Sequence, residues 1–255
     1  MTDLTADAAL AADLVREAGA LANELRGPDL VAEEKTSVSD LVTAADRAAE
    51  RLVTDHLAAW RPDDGVIGEE GASRTSTSGR TWVIDPVDGT YNFVQGLTWW
   101  CSAVALVADD DVLLGAVYHP HEDALYVGGP GLPSTRNGEL LHPMTDVALA
   151  DACLTTYLHP PLYGGPVGEV FGRMVGRAAT LRMLGSGTLD SMAVAQGQAH
   201  VRCQHSVAAW DWLPGAAIIR GAGGAARRTE AGGVVWSVAG APTAVDEVCA
   251  ALADR

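Results

Sequence analysis

The chain has 255 residues, 48% of them apolar, and a mean hydropathy of +0.10, which supports a large buried core and excludes a disordered polypeptide. Its 33 acids against 17 lysines and arginines give a net charge of −16, which excludes a basic face for nucleic acid and repels anionic small molecules unless bound cations reverse the sign locally. No apolar run approaches the roughly 20 residues of a membrane span, so no membrane partner is expected.

In chain order, Met1 to Ala12 carries acids where a secretory leader would have a basic start and an apolar middle, so a cytoplasmic location is expected. Apolar residues at helical spacing (Leu10, Leu14, Ala18, Leu21, Leu25) predict a helix from Leu4 to Leu25, stopped by Gly27-Pro28. Ser39-Asp40 precedes a second predicted helix, Leu41 to Trp60. The period then changes. Gly65 to Gly68 and Thr81 to Ile84 read as short buried strands. Ser102 to Ala108 and Val112 to Tyr118 flank Asp109-Asp-Asp111, a solvated turn in a hairpin, and Ala124 to Val127 reads as a further strand.

From about residue 150 strands and helices alternate. Strands are predicted at Cys153 to Tyr157, Thr180 to Leu184, His200 to Cys203 and Val234 to Val238. Helices are predicted at Gly168 to Arg177, Thr188 to Gln196, Ala209 to Arg220 and Thr243 to Leu252. The pattern is an α+β first half, residues 1–145, and an α/β second half, residues 146–255, layered into one compact unit. Cys101, Cys153, Cys203 and Cys249 have no C-x-x-C spacing and read as free, buried thiols.

Four stretches carry candidate chemistry. In Trp82-Val-Ile-Asp85-Pro86-Val87-Asp88-Gly89-Thr90 a strand delivers Asp85 at its C-terminal end, and Pro86 is expected to stop it. The Val87 carbonyl can then turn towards a ligand, Asp88 can converge with Asp85, and the N–H groups of Gly89 and Thr90 can cradle a phosphate. Alone, this pattern is equally an ordinary Asp-Gly turn with a threonine cap. Gly68-Glu69-Glu70-Gly71 follows a strand and could be plain surface charge. Asp211 in Trp210-Asp-Trp-Leu-Pro214-Gly could be a helix cap, with Pro214 in the first turn. Asp40 and Asp46, after Lys35, could be capping and surface residues.

The coincidence is what points to a site. Glu70, Asp85, Asp88 and Asp211 all fall at the ends of elements, each near Gly or Pro, and no His or Cys sits among them. An all-oxygen ligand set suits Mg²⁺ or Mn²⁺ rather than Zn²⁺, and carboxylates bridging two cations suit attack on phosphorus. His119-Pro-His121 reads as a loop, and His205, near the Asp211 segment, as a surface residue first and a substrate contact second.

On Gly-Glu-Glu, Asp-Pro-Val-Asp-Gly-Thr-x-Asn-Phe and Trp-Asp-x-x-Pro-Gly, in this order, the chain resembles the inositol monophosphatase family of Mg²⁺-dependent, lithium-sensitive phosphatases from about Lys35 to the C-terminal region. The resemblance implies a layered αβαβα sandwich like that of fructose-1,6-bisphosphatase, and a homodimer. It implies two to three Mg²⁺ ions, with Mn²⁺ a possible substitute, held by Glu70, Asp85, the Val87 carbonyl, Asp88 and Asp211. Thr90 and Asp46 would activate the attacking water, with Glu70 reaching a third ion through water, and no phosphoenzyme would form. The substrate, a small phosphate ester, would lie against Asp88, Gly89, Thr90, Asp211 and the Gly185-Ser186-Gly187 loop, whose serine also reads as a helix cap. Gln204 stands where animal members have a Glu that binds inositol hydroxyls. The expected activity is therefore phosphate monoester hydrolysis, with inositol 1-phosphate first among the substrates. Histidinol phosphate, another sugar phosphate or a nucleotide is the alternative, and a non-catalytic binding protein of this fold the distant one.

Overall fold

A computed structural model describes residues 4–27, 31–37, 40–109 and 111–254; the side chains of 36, 37 and 40 are also outside it. Pro28, Ser39 and Asp110, singled out above as stop, helix approach and turn, lie outside the described residues.

Helix α1 (Thr5–Leu25) is followed by a two-stranded antiparallel ribbon, β1 (Ala32–Ser37) and β2 (Asp40–Thr43), and by α2 (Ala44–Trp60). The second helix thus starts three residues later than its pattern predicted, because Leu41 to Thr43 pair with β1. Its cap is Thr43: the hydroxyl accepts from Ala45 N–H, while Asp46 Oδ2 accepts from Thr43 N–H at 3.0 Å and Oγ1 at 2.5 Å.

Eight strands then build one sheet: β3 (Gly65–Gly68), β4 (Ser73–Arg74), β5 (Arg80–Asp88), β6 (Cys101–Ala108), β7 (Asp111–His119), β8 (Ala124–Gly129), β9 (Leu132–Arg136) and β10 (Glu139–Leu140). Their order is β10-β9-β8-β7-β6-β5-β3-β4, antiparallel except for the parallel pair β3–β5. A five-residue helix, α3 (Thr90–Val94), leaves β5. Alternation along β6 divides the core: Val104 and Leu106 pack with Leu14, Val53 and Leu57 of α1 and α2, while Cys101 and Ala103 face the opposite layer.

That layer is α5 (Gly187–Ala195) and α6 (Ala209–Gly221), whose Met192, Ala216 and Ile218 fill the space between the two large sheets. The second sheet has the order β12-β11-β13-β15-β14, from β11 (Cys153–Tyr157), β12 (Thr180–Arg182), β13 (Val201–His205), β14 (Ala225–Ala231) and β15 (Val234–Gly240). Its outer face is covered by α4 (Gly165–Val175) and α7 (Pro242–Ala253) through Val167, Met174, Val245 and Val248. The sequence is therefore helix, sheet, helix, sheet, helix, as a five-layer sandwich requires. All four cysteines are free; Cys101 and Cys203 are buried, while Cys153 and Cys249 are partly exposed. No helix among the described residues is long and apolar enough to cross a membrane.

Candidate active site

The site forms where the ends of β3 and β5 meet the N-termini of α5 and α6. Pro86 does not end its strand. β5 runs on to Asp88 through an irregularity: Asp85 pairs with Ala103 and Asp88 with Cys101, so three steps on one strand match two on the other. In a regular strand, residues three apart point to opposite faces. The bulge cancels that parity and turns both carboxylates the same way. The Pro86 carbonyl is fixed by Ser102 Oγ at 2.6 Å.

Asp211 joins them from α6. Its place is the third residue of the helix, after an Ala208 cap, and Pro214 is the sixth, beyond the first turn where it was expected. Ligand oxygens of Asp85, Asp88 and Asp211 lie within 4.8 Å of one another. Asp88 Oδ2 accepts from Ser186 Oγ at 2.8 Å and Thr188 N–H at 2.5 Å, so the Gly185–Thr188 loop holds this carboxylate. Ser186 also caps α5, accepting from Leu189 N–H. Asp85 is 1% exposed, and neither of its oxygens meets a hydrogen-bond donor among the described residues. A buried, unpartnered carboxylate is costly, so burial, then the charges of Glu69, Asp88 and Asp211, raise its pKa well above the usual value. Burial and Asp88 raise Asp211 to about 6.

Glu69 and Glu70 part company. The parallel register runs from Gly65 opposite Thr81 to Gly68 opposite Ile84, and Glu69 N–H donates to the Ile84 carbonyl at 3.1 Å. Continuing that register sets Glu69 level with Asp85. Glu69 lines the cavity described below; Glu70, the acid expected there, does not, and Lys35 Nζ grips its Oε1 at 2.6 Å. Lys35 also reaches Glu69 Oε1 at 2.9 Å, yet burial still raises Glu69 to about 7. The turn between them is held from below. Glu50 accepts from Glu70 N–H at 2.8 Å and Ala72 N–H at 2.9 Å, and a Cβ on Gly68 would overlap the Glu50 carboxylate.

Thr90 Oγ1 sits 2.9 Å from the Val87 carbonyl and 3.2 Å from Oδ1 of Asp46, which is fully buried rather than a surface residue. Burial raises the Asp46 pKa. Gly89 adopts a left-handed φ of +91°, and a Cβ there would stand 3.1 Å from both Ser186 Cβ and the Trp99 carbonyl. Two needs, conformation and space, thus fall on one glycine.

Glu69, Asp88, Gly89, Thr90, Ser186 and Asp211 border a cavity of about 630 Å³ that is also lined by Gln204, Arg202, Asp190, His159 and Tyr157. His205, expected on the surface, is 7% exposed and lines it too. His119, expected in a loop, is instead the buried last residue of β7, paired with Ala124, with its Nε2 2.8 Å from the Thr98 carbonyl, and the turn begins at Pro120. Sequence reasoning missed Glu69, Glu50, Arg202 and Asp190. The first was available from register: two four-residue parallel strands, Gly65 to Gly68 and Thr81 to Ile84, put the next residues side by side.

The fold is a five-layer sandwich, and this cluster of oxygen donors suits a hard divalent cation. The model of the inositol monophosphatase family matches residues 3–253, and the chain belongs to that family, whose members hydrolyse phosphate monoesters. It is 34% identical to the inositol-1-monophosphatase of Rhizobium meliloti over 86% of this chain and 81% of that protein. It is 32% identical to the fructose-1,6-bisphosphatase/inositol-1-monophosphatase of Thermotoga maritima over 75% of this chain and 73% of that protein. The extragenic suppressor protein suhB of Bartonella henselae shares the fold, with a TM-score of 0.89, 24% identity and coverage of 98% and 99% of the two chains.

Proposed function

We propose that the chain is a Mg²⁺-dependent monoesterase of polyol and sugar phosphates, with inositol 1-phosphate the first substrate to test. The observation that carries the metal reading is Asp85: a buried carboxylate with no hydrogen-bond donor among the described residues, gathered with Asp88 and Asp211, suits a hard divalent cation. Glu69, the Val87 carbonyl and these three aspartates are the proposed holders of two to three ions, with Mn²⁺ a possible substitute. The role first given to Glu70 passes to Glu69, which shares the cavity wall with Asp88 and Asp211. Bound cations would supply charge neutralisation for phosphate and leaving alkoxide and would acidify water.

The chain's own groups do the rest. Gly89 and Thr90 N–H groups receive the phosphate, and the Gly185–Gly187 loop and Gln204 face the alcohol. Thr90 Oγ1 orients the attacking water and passes its proton to Asp46 Oδ1, which burial makes a better base. The hydroxyl of Ser186, beside the cluster, is engaged by Asp88 Oδ2 and the α5 cap, and burial pushes the Cys101 thiol well up, so direct attack without a phosphoenzyme is the reading. The names of the two bacterial relatives above support inositol and fructose phosphates as substrates. Lithium inhibition and a homodimer rest on the family resemblance, and a cytoplasmic location on the acidic stretch Met1 to Ala12; sedimentation with and without Mg²⁺ tests the dimer. The decisive experiment is phosphate release from a panel of esters with and without Mg²⁺, repeated on Asp85→Asn. Metal-independent release, or wild-type turnover by the variant, defeats the proposal.

A further inference from the structure

Gln204 does not face the cavity as a free amide. Arg202, two residues earlier on β13 and on the same face, is 1% exposed, and its Nη2 donates to Gln204 Oε1 at 3.1 Å. A guanidinium can only donate, so this contact fixes which end of the amide is which. The oxygen is turned to Arg202, which occupies one of its two lone pairs, and the N–H₂ group is the end of Gln204 directed away from the guanidinium. Arg202 Nη1 meanwhile donates to the Asp211 carbonyl at 3.2 Å and lies 3.5 Å from Ser191 Oγ, tying the strand to α6.

The positive charge is only partly answered. No carboxylate forms an ion pair with Arg202 within 4.0 Å among the described residues, and its buried Nε has no partner. Asp190 feels the charge without touching it. The loop opposite is cut to fit the pair: a Cβ on Gly187 would overlap Arg202 Nη2 and stand 3.2 Å from Gln204 Oε1. The acids of the cavity, Glu69, Asp88, Asp190 and Asp211, come from the turn after β3 and from β5, α5 and α6, while β13 contributes Arg202, Gln204 and His205 but no acid.

We infer that Arg202 is a positioning residue that makes Gln204 a hydrogen-bond donor to the leaving group, so that the site favours phosphate esters whose alcohol carries an anionic oxygen acceptor, a carboxylate or a second phosphate, over otherwise identical esters carrying only hydroxyls. This rests on the phosphatase reading and narrows its substrate class. A hydroxyl can accept from Nε2 as well, so inositol 1-phosphate is still turned over. An anionic acceptor gains a charge-assisted bond and a share of the Arg202 field.

The test uses matched substrates at saturating Mg²⁺. 3-Phosphoglycerate and glycerol 3-phosphate differ by a carboxylate in place of a hydroxymethyl group; fructose 1,6-bisphosphate and fructose 1-phosphate differ by the second phosphate. For at least one pair, kcat/KM should favour the anionic member by about fivefold or more, and the responding pair identifies the source of the acceptor. Gln204→Glu should cut that ratio about tenfold or more, because it replaces the donor by an acceptor. Arg202→Leu should lower it too, with Arg202→Lys restoring part. Should the arginine variants fail to fold, Gln204→Glu decides the matter alone. Ratios near one for both pairs in the wild type, or a ratio unchanged by Gln204→Glu, overturn the inference while leaving the phosphatase standing. Absence of phosphate release from every ester overturns both.

Discussion

Asparagine at position 85 should separate two effects of the native carboxylate. Asp85→Asn removes a charge that the fold buries without a donor, so the metal-free variant should melt above the metal-free wild type at pH 7.5. The same variant should lose the Mg²⁺-induced rise in Tm and fall to background turnover. Calorimetry in chelator and in Mg²⁺ measures both; a metal-free variant less stable than wild type would show the carboxylate to be partnered after all. Thr90 gives a different signature. Its hydroxyl touches Asp46 and the Val87 carbonyl but carries no charge, so Thr90→Ala should lower kcat by about 10²-fold with little change in KM, and Thr90→Ser should recover much of it. An effect confined to KM contradicts a role in orienting water. Between the adjacent glutamates, Glu69→Gln should raise the Mg²⁺ concentration for half-maximal rate far more than Glu70→Gln; equal shifts would return Glu70 to the ion shell.

At the scale of elements, the Gly68–Gly71 turn depends on α2 beneath it. Gly68→Ala sets a methyl group against the Glu50 carboxylate that holds Glu70 and Ala72 N–H, at a cost of about 1–3 kcal/mol. Weaker Mg²⁺ binding together with a lowered Tm is the expected result, and an unchanged Mg²⁺ requirement would show that the turn does not position Glu69. Elements of this kind also mark how far the chain could be read in advance. Asp85, Asp88, Thr90 and Asp211 were legible because each sits at a break between periodic segments, beside Gly or Pro. Helix α1 was legible from its apolar spacing, whereas α5 and α6 are buried nearly all round and show none. What hid was long-range or irregular. The ribbon β1–β2 is exposed and polar along Ala32 to Lys35, so it has no apolar alternation to betray it. The bulge in β5 leaves no local trace beyond Pro86. Arg202 and Glu50 look like surface charges until the partners that bury them, from other elements, are in place.

For the whole molecule, the metal-free site works against the fold, and pH reveals it. Asp85 is raised well above its usual value, Asp211 to about 6 and Glu69 to about 7. A carboxyl with a raised folded-state pKa stabilises fully below its unfolded value near 4 and loses that contribution as pH rises through the folded value. In chelator, Tm should therefore fall between about pH 4.5 and 7.5, once the loss of ion pairs at lower pH is excluded, and Mg²⁺ should abolish that slope. A flat metal-free profile over this window counts against the cluster. The placement of the cluster has one more outcome. Asp85 and Asp88 come from the eight-stranded sheet, built from residues 65–140, whereas Asp211 and the serine that grips Asp88 come from the helices between the sheets. A chain cut near residue 145 would part Asp211 and Ser186 from the other proposed ion holders. If the proposed cation binds there, reassembly of the two fragments should be promoted by divalent cation, which would then be a rivet across the seam as well as a reagent.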